Sequence, residues 1–142
     1  MKTILFLCTG NYYRSRFAEV FFNWHAKQRG LPWKAESRGL AIDPMNIGPM
    51  SHYTESRLTA HGIPFDDYQR LPIDVSRDDF SAAHHVVAVK EAEHRPLIQR
   101  RFPDCLTQVE FWKVHDIDCA QPDEALPHLE WNLTELLDRL PA

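Results

Sequence analysis

Cysteine, long apolar runs and clustered charge of one sign are all scarce in this sequence of 142 residues. The cysteines number three and lie at positions 8, 105 and 119. An odd and small number of cysteines does not make a disulfide framework, and reduced thiols are typical of the cytoplasm. No apolar stretch approaches the roughly 20 residues that cross a bilayer, and the segment from Met1 to Leu7 turns polar too early for a signal peptide. The sequence therefore predicts a cytoplasmic protein with no membrane segment.

The charge balance and the length narrow the class of protein further. The formal net charge is -4, and no run of lysine or arginine indicates a surface for nucleic acid or for a membrane. With 44% apolar residues, the chain can bury one sizeable core but hardly two. We expect a single domain over residues 1–142, a monomer or weak homo-oligomer that binds no nucleic acid.

Short apolar segments alternate along the chain with segments of helical periodicity. Strands are predicted at 3–7, 33–37, 86–89 and 109–114, and helices at 15–29, 51–61, 91–101 and 126–140. The leucines of the last segment recur at helical spacing and form one apolar face. Alternation of this kind predicts an α/β fold with a parallel sheet.

The segment between the first strand and the first helix carries the candidate chemistry, because ligands of open parallel sheets bind beyond the carboxyl ends of strands. The five residues between Cys8 and Arg14 are enough to curl a loop whose backbone N–H groups converge on an anion. Gly10 and Asn11 tolerate the positive φ that such a curl requires. The candidate phosphate-binding residues are Thr9, Gly10, Asn11, Tyr12, Tyr13, Arg14 and Ser15.

Cys8 and Arg14 give this loop its predicted reactivity. Arg14 can offer two parallel N–H donors to two oxygens of a phosphate. The same positive field should favour the thiolate of Cys8, which would make it a nucleophile at neutral pH. The Ser15 hydroxyl could donate to the sulfur as it leaves in a second step, or it could cap the helix. A Cys and an Arg at this spacing are common by chance, but their position in a strand-to-helix turn favours the catalytic interpretation.

Residues 8–15 resemble the signature of the low-molecular-weight protein tyrosine phosphatases, in which Cys, five residues, Arg and Ser or Thr enclose a Gly-Asn pair. A weaker resemblance extends through residues 37–40, 58–64 and 86–89 and the final helix. It implies a single three-layer domain with a four-stranded parallel sheet flanked by helices, and no metal or cofactor. It also implies hydrolysis of a phosphotyrosine protein or small phosphomonoester through a phosphocysteine intermediate, and a network of Asn11, Ser15 and Ser37 that stiffens the loop.

The same resemblance locates the general acid in a loop near the C-terminus. The family has an Asp-Pro pair a few residues after an aromatic residue, and Asp116 follows Trp112 here although Ile117 replaces the proline. An acid is required because an alkoxide or phenoxide leaves poorly unless it is protonated as the P–O bond breaks. Asp116 is the candidate catalytic acid, and Asp118 is its rival.

Other positions depart from the family pattern. The aromatic residues expected after the acid are absent, so Tyr12 and Tyr13 are candidates for the walls of the substrate pocket. Tyr13 also replaces the second loop cysteine of many members, and a histidine of the supporting network is replaced near Asp67.

Two other functions remain as alternatives, whereas a metal site is not expected. An arsenate reductase of the thioredoxin-coupled kind needs a relay cysteine just after the 86–89 strand, but residues 90–101 contain none, and Cys105 and Cys119 are out of register. A phosphate-binding module without a competent acid would keep the anion cradle and lose turnover. The adjacent His84 and His85 would point to opposite faces of a strand, so we predict no metal.

Overall fold

The computed structural model describes residues 1–141, which contain four strands in one parallel sheet of order β2-β1-β3-β4. The strands are β1 (Lys2–Cys8), β2 (Trp33–Gly39), β3 (His85–Ala88) and β4 (Val109–Phe111). The helices are α1 (Arg14–Gln28), α2 (His52–Ala60), α3 (Arg77–Ala82), α4 (Glu91–Arg101) and α5 (Pro122–Arg139), with 3₁₀ turns at Asp66–Tyr68 and Pro103–Gln108. The predicted α/β fold with a four-stranded parallel sheet is confirmed.

Strand β1 lies inside the sheet because its apolar run can be buried on both faces. Ile4 and Phe6 pack with the buried residues of α1 and α5, whereas Leu5 and Leu7 pack with residues of α3 and α4. Successive side chains of a strand alternate between the faces, so one uninterrupted apolar segment serves both layers. Burial of each such side chain is worth about 1.5–3 kcal/mol. This two-sided burial fixes the position of Cys8 at the carboxyl end of the sheet.

Helix α5 covers the first of these layers with the predicted leucine face. Its buried leucines are Leu126, Leu129, Leu133, Leu136 and Leu137. The helix begins at Pro122, four residues before the predicted start, because proline at the first position lacks only an N–H that would have no helical partner. Among the helices of residues 1–141, none is both long and apolar enough to cross a membrane.

The bounds of β1 and β3 lie within one residue of the prediction, whereas the ends of β2 and β4 and one helix differ more. Strand β2 continues to Gly39 because that residue still pairs with Cys8. Strand β4 ends at Phe111, although the N–H groups of Trp112 and Val114 bond to the carbonyls at the end of β3 and direct the chain toward the carboxyl edge. Helix α3 was not predicted because it buries a single residue, Phe80, and shows no periodicity.

Candidate active site

The turn from β1 to α1 forms a tight loop over residues 9–13 at the carboxyl edge of the sheet. Asn11 has a φ of 49°, in the left-handed region that asparagine tolerates. Gly39 lies against the loop: a Cβ there would be 2.9 Å from the Thr9 carbonyl oxygen and 3.1 Å from the Asn11 Cβ. A side chain at position 39 would therefore displace the loop.

Helix α1 begins one residue earlier than predicted, at Arg14. Tyr13 holds the position before the helix and makes no side-chain cap. Ser15 consequently lies within the first turn, so its alternative role as the helix cap is wrong. Its hydroxyl is directed toward the loop.

Asn11 is the centre of the loop's support. It is fully buried, and its Nδ2 donates to the hydroxyls of Ser15 and Ser37, each at 2.9 Å. Its Oδ1 accepts from Arg70 Nη1 and from the Ile73 N–H, both at 3.0 Å. These four bonds use the full capacity of the amide. The structure thus brings Asn11, Ser15 and Ser37 together, and Arg70, three residues after Asp67, joins their network.

A buried ion cluster underlies this network. Glu19 Oε1 accepts from Ser37 Oγ at 2.6 Å, from Arg16 Nη1 at 3.0 Å and from Arg70 Nη2 at 3.3 Å. Burial raises the pKa of Glu19, although its basic partners oppose the shift. Burial also lowers the pKa of Arg70 to about 10, although Glu19 opposes that shift. Loss of one partner would leave a buried charge uncompensated, so the cluster constrains the loop from below.

The sulfur of Cys8 lies at the base of the loop. Its Sγ is 2.9 Å from Ser15 Oγ, and both residues are buried. Because Ser15 Oγ already accepts a hydrogen bond from Asn11, its own hydrogen can point at the sulfur. A donor in that position stabilises a thiolate, both as nucleophile and as leaving group.

Arg14 is held on one edge by helix α4. Its Nη1 donates to Glu93 Oε2 at 3.0 Å and its Nη2 donates to Glu93 Oε1 at 3.1 Å, a bidentate fork. Nη1 also donates to the Val114 carbonyl at 3.1 Å. Burial would lower the pKa of Arg14, but the Cys8 sulfur and the carboxylates of Glu93 and Asp116 raise it. The guanidinium is therefore a fixed cation. On its other edge, the Nε–H and the second N–H of Nη2 make no hydrogen bond within residues 1–141, so they can bind an anion.

Glu93 is itself fixed by a hydrogen-bond chain that sequence reasoning missed. Thr9 Oγ1 donates to Glu93 Oε1 at 2.6 Å and lies 3.0 Å from His94 Nε2. The Lys90 N–H donates to His94 Nδ1 at 3.1 Å. A neutral ring that accepts at Nδ1 carries its hydrogen on Nε2, so His94 donates to Thr9 and Thr9 donates to Glu93. The signal in the sequence was the acidic first turn of a helix that follows a parallel strand.

The charges of the hydrogen-bonded groups His94 and Glu93 are constant near neutral pH. Burial first, and then the nearby Arg14, lower the pKa of His94 to about 3. Burial alone would raise the pKa of Glu93, but hydrogen bonds from Arg14 and Thr9 outweigh it and lower that pKa to about 2. His94 is accordingly neutral and Glu93 anionic, which fixes the direction of every bond between them.

The two candidate acids differ in position. Asp116 Oδ2 lies 3.4 Å from Arg14 Nη2, and its Oδ1 accepts from the Ile117 N–H at 2.8 Å. Asp116 also lines the cavity above Cys8. Asp118 is exposed and does not line that cavity. The geometry thus brings Asp116, and not Asp118, to the anion cradle.

A cavity of about 440 Å³ opens above the loop. Its aromatic walls are Tyr12, Tyr13, His52 and Tyr53. Tyr12 is fixed because its hydroxyl donates to the Ile47 carbonyl at 2.6 Å, and the Tyr13 ring meets the Tyr53 ring edge-on with centroids 6.4 Å apart. Both predicted tyrosines line the cavity, and the start of α2 supplies two further rings that sequence reasoning did not assign.

The remaining cysteines and histidines lie apart from this site. All three cysteines are free; Cys105 is buried in the second core layer, and Cys119 is exposed. His84 accepts from the Thr3 N–H, whereas His85 pairs with a carboxylate of β4. Within residues 1–141, no group of three or more His, Cys, Asp or Glu side chains is arranged to hold a metal ion.

Comparisons with known proteins find a matching family model, related sequences and similar solved structures. The family model described as low molecular weight phosphotyrosine protein phosphatase matches residues 3–125. The low molecular weight phosphotyrosine protein phosphatase of Pongo abelii is 27% identical over 120 residues, which cover 81% of this chain and 73% of that protein. The low molecular weight protein-tyrosine-phosphatase YfkJ of Bacillus subtilis (strain 168) is 33% identical over 90 residues, 63% of this chain and 56% of that protein. The crystal structure of YfkJ from Bacillus subtilis superposes with a TM-score of 0.84 at 26% identity, covering 97% of this chain and 93% of that one.

Proposed function

Because the chain belongs to the low molecular weight phosphotyrosine protein phosphatase family, we propose that it hydrolyses phosphotyrosine in proteins, and small phosphomonoesters, through a phosphocysteine intermediate. The observation that carries the proposal is the Cys8 sulfur at the base of an anion cradle, 2.9 Å from the Ser15 hydroxyl. The Arg14 guanidinium and the Asp116 carboxylate line the same cavity. Nucleophile, anion clamp and acid therefore face one volume.

In the first step the cradle binds the phosphoryl group. Loop N–H groups and the free edge of Arg14 bond its oxygens and stabilise the charge that spreads over them in the transition state. The Cys8 thiolate attacks phosphorus in line with the ester oxygen, so that the S–P bond forms as the P–O bond breaks. Asp116 enters this step protonated and gives its proton to the departing oxygen.

In the second step water replaces the alcohol or phenol. The Asp116 carboxylate accepts a proton from the water as its oxygen attacks phosphorus. The S–P bond breaks, its electron pair returns to sulfur, and the Ser15 hydroxyl stabilises the thiolate. Inorganic phosphate leaves, and the enzyme is ready for another cycle without any oxidant or reductant.

The cavity walls support an aromatic substrate. Tyr13 and Tyr53 line the volume above the cradle, where the ring of a phosphotyrosine can pack against them. The curated relatives are named for phosphotyrosine proteins. A nucleophilic thiol must stay reduced, which supports a cytoplasmic location, and we propose that the protein acts as a monomer or weak homo-oligomer.

Turnover of p-nitrophenyl phosphate tests the proposal. We expect Cys8→Ser to abolish turnover, and the exposed Cys119→Ser to retain it as the matched control. Turnover should also persist in Cys105→Ser with no thiol reductant consumed, because the cycle needs no second cysteine. Dependence on Cys105 or Cys119 would favour a reductase relay, and binding of inorganic phosphate without turnover would favour a phosphate-binding module.

A further inference from the structure

The hydroxyl of Tyr13 is buried without a hydrogen-bond partner among residues 1–141. Tyr13 is 8% exposed and lines the cavity together with Asp116. The one other such side-chain atom in that range is Arg16 Nε, which belongs to the ion cluster under the loop and not to the cavity. Buried hydroxyls are nearly always bonded, and an unpaired one is destabilising. A hydroxyl left unpaired in an active-site wall points to a partner that arrives during turnover.

Asp116 is the group whose bonding changes when the substrate binds. Its Oδ1 is held by the Ile117 N–H at 2.8 Å, and its Oδ2 faces Arg14 Nη2 at 3.4 Å. A phosphoryl group bound to Arg14 takes that guanidinium edge and, as the stronger anion, displaces Asp116 from it. Oδ2 then lacks its cation during the steps in which Asp116 must give and recover a proton.

Building on the proposed function, we infer that the Tyr13 hydroxyl becomes the donor to Asp116 Oδ2 in the substrate complex, so that Tyr13 is a positioning residue for the acid. The carboxyl group is then fixed at both oxygens, by the Ile117 N–H and by Tyr13. The remaining lone pair of Oδ2 carries the proton that goes to the leaving oxygen. After that transfer, the same hydroxyl stabilises the carboxylate that activates water.

The state of the Tyr13 hydroxyl suits this role. Burial, and then the nearby Asp116, raise the pKa of Tyr13 to about 12, so the group remains a protonated donor. In the free enzyme the two side chains line one cavity without a hydrogen bond between them. Catalytic hydrogen bonds are often long in free enzymes and shorten when the substrate binds.

Tyr13→Phe removes one oxygen and keeps the ring that packs on Tyr53. Because the lost oxygen is buried and unpaired, the melting temperature should stay equal or rise. Tyr68→Phe is the matched control, since it removes a hydroxyl from a partly buried tyrosine outside the cavity. Loss of activity by misfolding is therefore separable from loss of the donor.

The test is the dependence of kcat/KM on the leaving group. Phenol is a poor leaving group that needs its proton, so Tyr13→Phe should lower kcat/KM for phenyl phosphate about 10-fold, as expected for one lost hydrogen bond to a charged group. For p-nitrophenyl phosphate, whose leaving group needs little protonation, the loss should stay within about two-fold. Tyr68→Phe should change neither value. An equal loss for both esters, or no loss, would overturn the inference.

A double-mutant cycle separates a role of Tyr13 through Asp116 from a direct contact of Tyr13 with the substrate. In the Asp116→Asn background, Tyr13→Phe should cause no further loss, because the group it positions is no longer an acid. A further loss of the same size would overturn the inference by assigning Tyr13 to the substrate itself. If the wild-type enzyme hydrolysed no phosphate ester, the proposed function would fail and this inference with it, whereas normal turnover with an unchanged leaving-group dependence rejects only the role of Tyr13.

Discussion

The floor of the cradle and the mouth of the cavity are built in opposite ways. In the floor, Asn11, Arg14 and Ser15 are at most 1% exposed, and protein atoms hold each of them. At the mouth, the lining residues Tyr53 and Ile117 are 37% and 45% exposed. Under the proposed function the floor binds a phosphoryl group that is the same in every substrate, so a rigid floor does not restrict the range of substrates. The mouth would have to admit different leaving groups and let the proposed acid change partners, which a fully bonded wall would prevent.

The largest test of this comparison concerns the acid at the mouth. Asp116→Asn should lower kcat/KM for phenyl phosphate about 100-fold or more, because the amide cannot supply a proton. The loss for p-nitrophenyl phosphate should be much smaller. Asp118→Asn is the matched control, two residues away and outside the cavity, and should keep near-wild-type values for both esters. A large loss in Asp118→Asn with little loss in Asp116→Asn would assign the acid to Asp118, a residue outside the cavity.

A smaller effect is expected when the Arg14 guanidinium is misoriented but the backbone of the loop is unchanged. In Glu93→Gln, one side of the fork becomes an amide N–H₂ that faces the donors of Arg14, so the guanidinium is misaligned. We expect kcat to fall about 10-fold. Inhibition by inorganic phosphate should be as strong as before or stronger, because the cradle gains net positive charge.

The control for this variant is Glu91→Gln, on the same helix turn, whose carboxylate pairs with Arg95 on the surface. It should change neither kcat nor phosphate inhibition. Weaker phosphate binding with unchanged kcat in Glu93→Gln would mean that Glu93 serves anion affinity and not the alignment of Arg14. The floor would then bind the anion through its charge and not through the orientation of its donors.

The floor also separates what the sequence could and could not predict. The reactive loop is contiguous, so Cys8, Arg14 and the Gly-Asn pair were recognisable, and the apolar runs located β1 and β3. The partners beneath come from far along the chain: Arg70 is 59 residues from Asn11, and Glu93 is 79 residues from Arg14. No local pattern marks such pairs, because only the parallel arrangement of the strands brings their ends together.

At the mouth, the sequence identified Tyr13 as a wall and could not identify its unpaired hydroxyl. Whether a hydroxyl finds a partner depends on the packing of α2 and of the chain after β4, which composition does not encode. The same applies to the choice between Asp116 and Asp118, two residues apart in a loop without periodicity. Sequence reasoning therefore reached the residue types of the site and missed the contacts that distinguish them.

The smallest expected effect is on the stability of the floor in acid. The pKa of His94 is about 3 in the folded protein against an ordinary value of 6.5, so between these values the unfolded chain binds the extra proton and stability falls as the pH drops. Glu93, with a folded pKa of about 2 against 4.5, adds to the loss only below its ordinary value. His94→Gln should therefore flatten the dependence of the urea midpoint on pH between the ordinary values of the two groups, while the steeper loss at lower pH remains. The exposed His128→Gln should reproduce the wild-type slope. An unchanged slope in His94→Gln would assign the proton uptake to another group, with His25, whose pKa burial also lowers, as the next candidate.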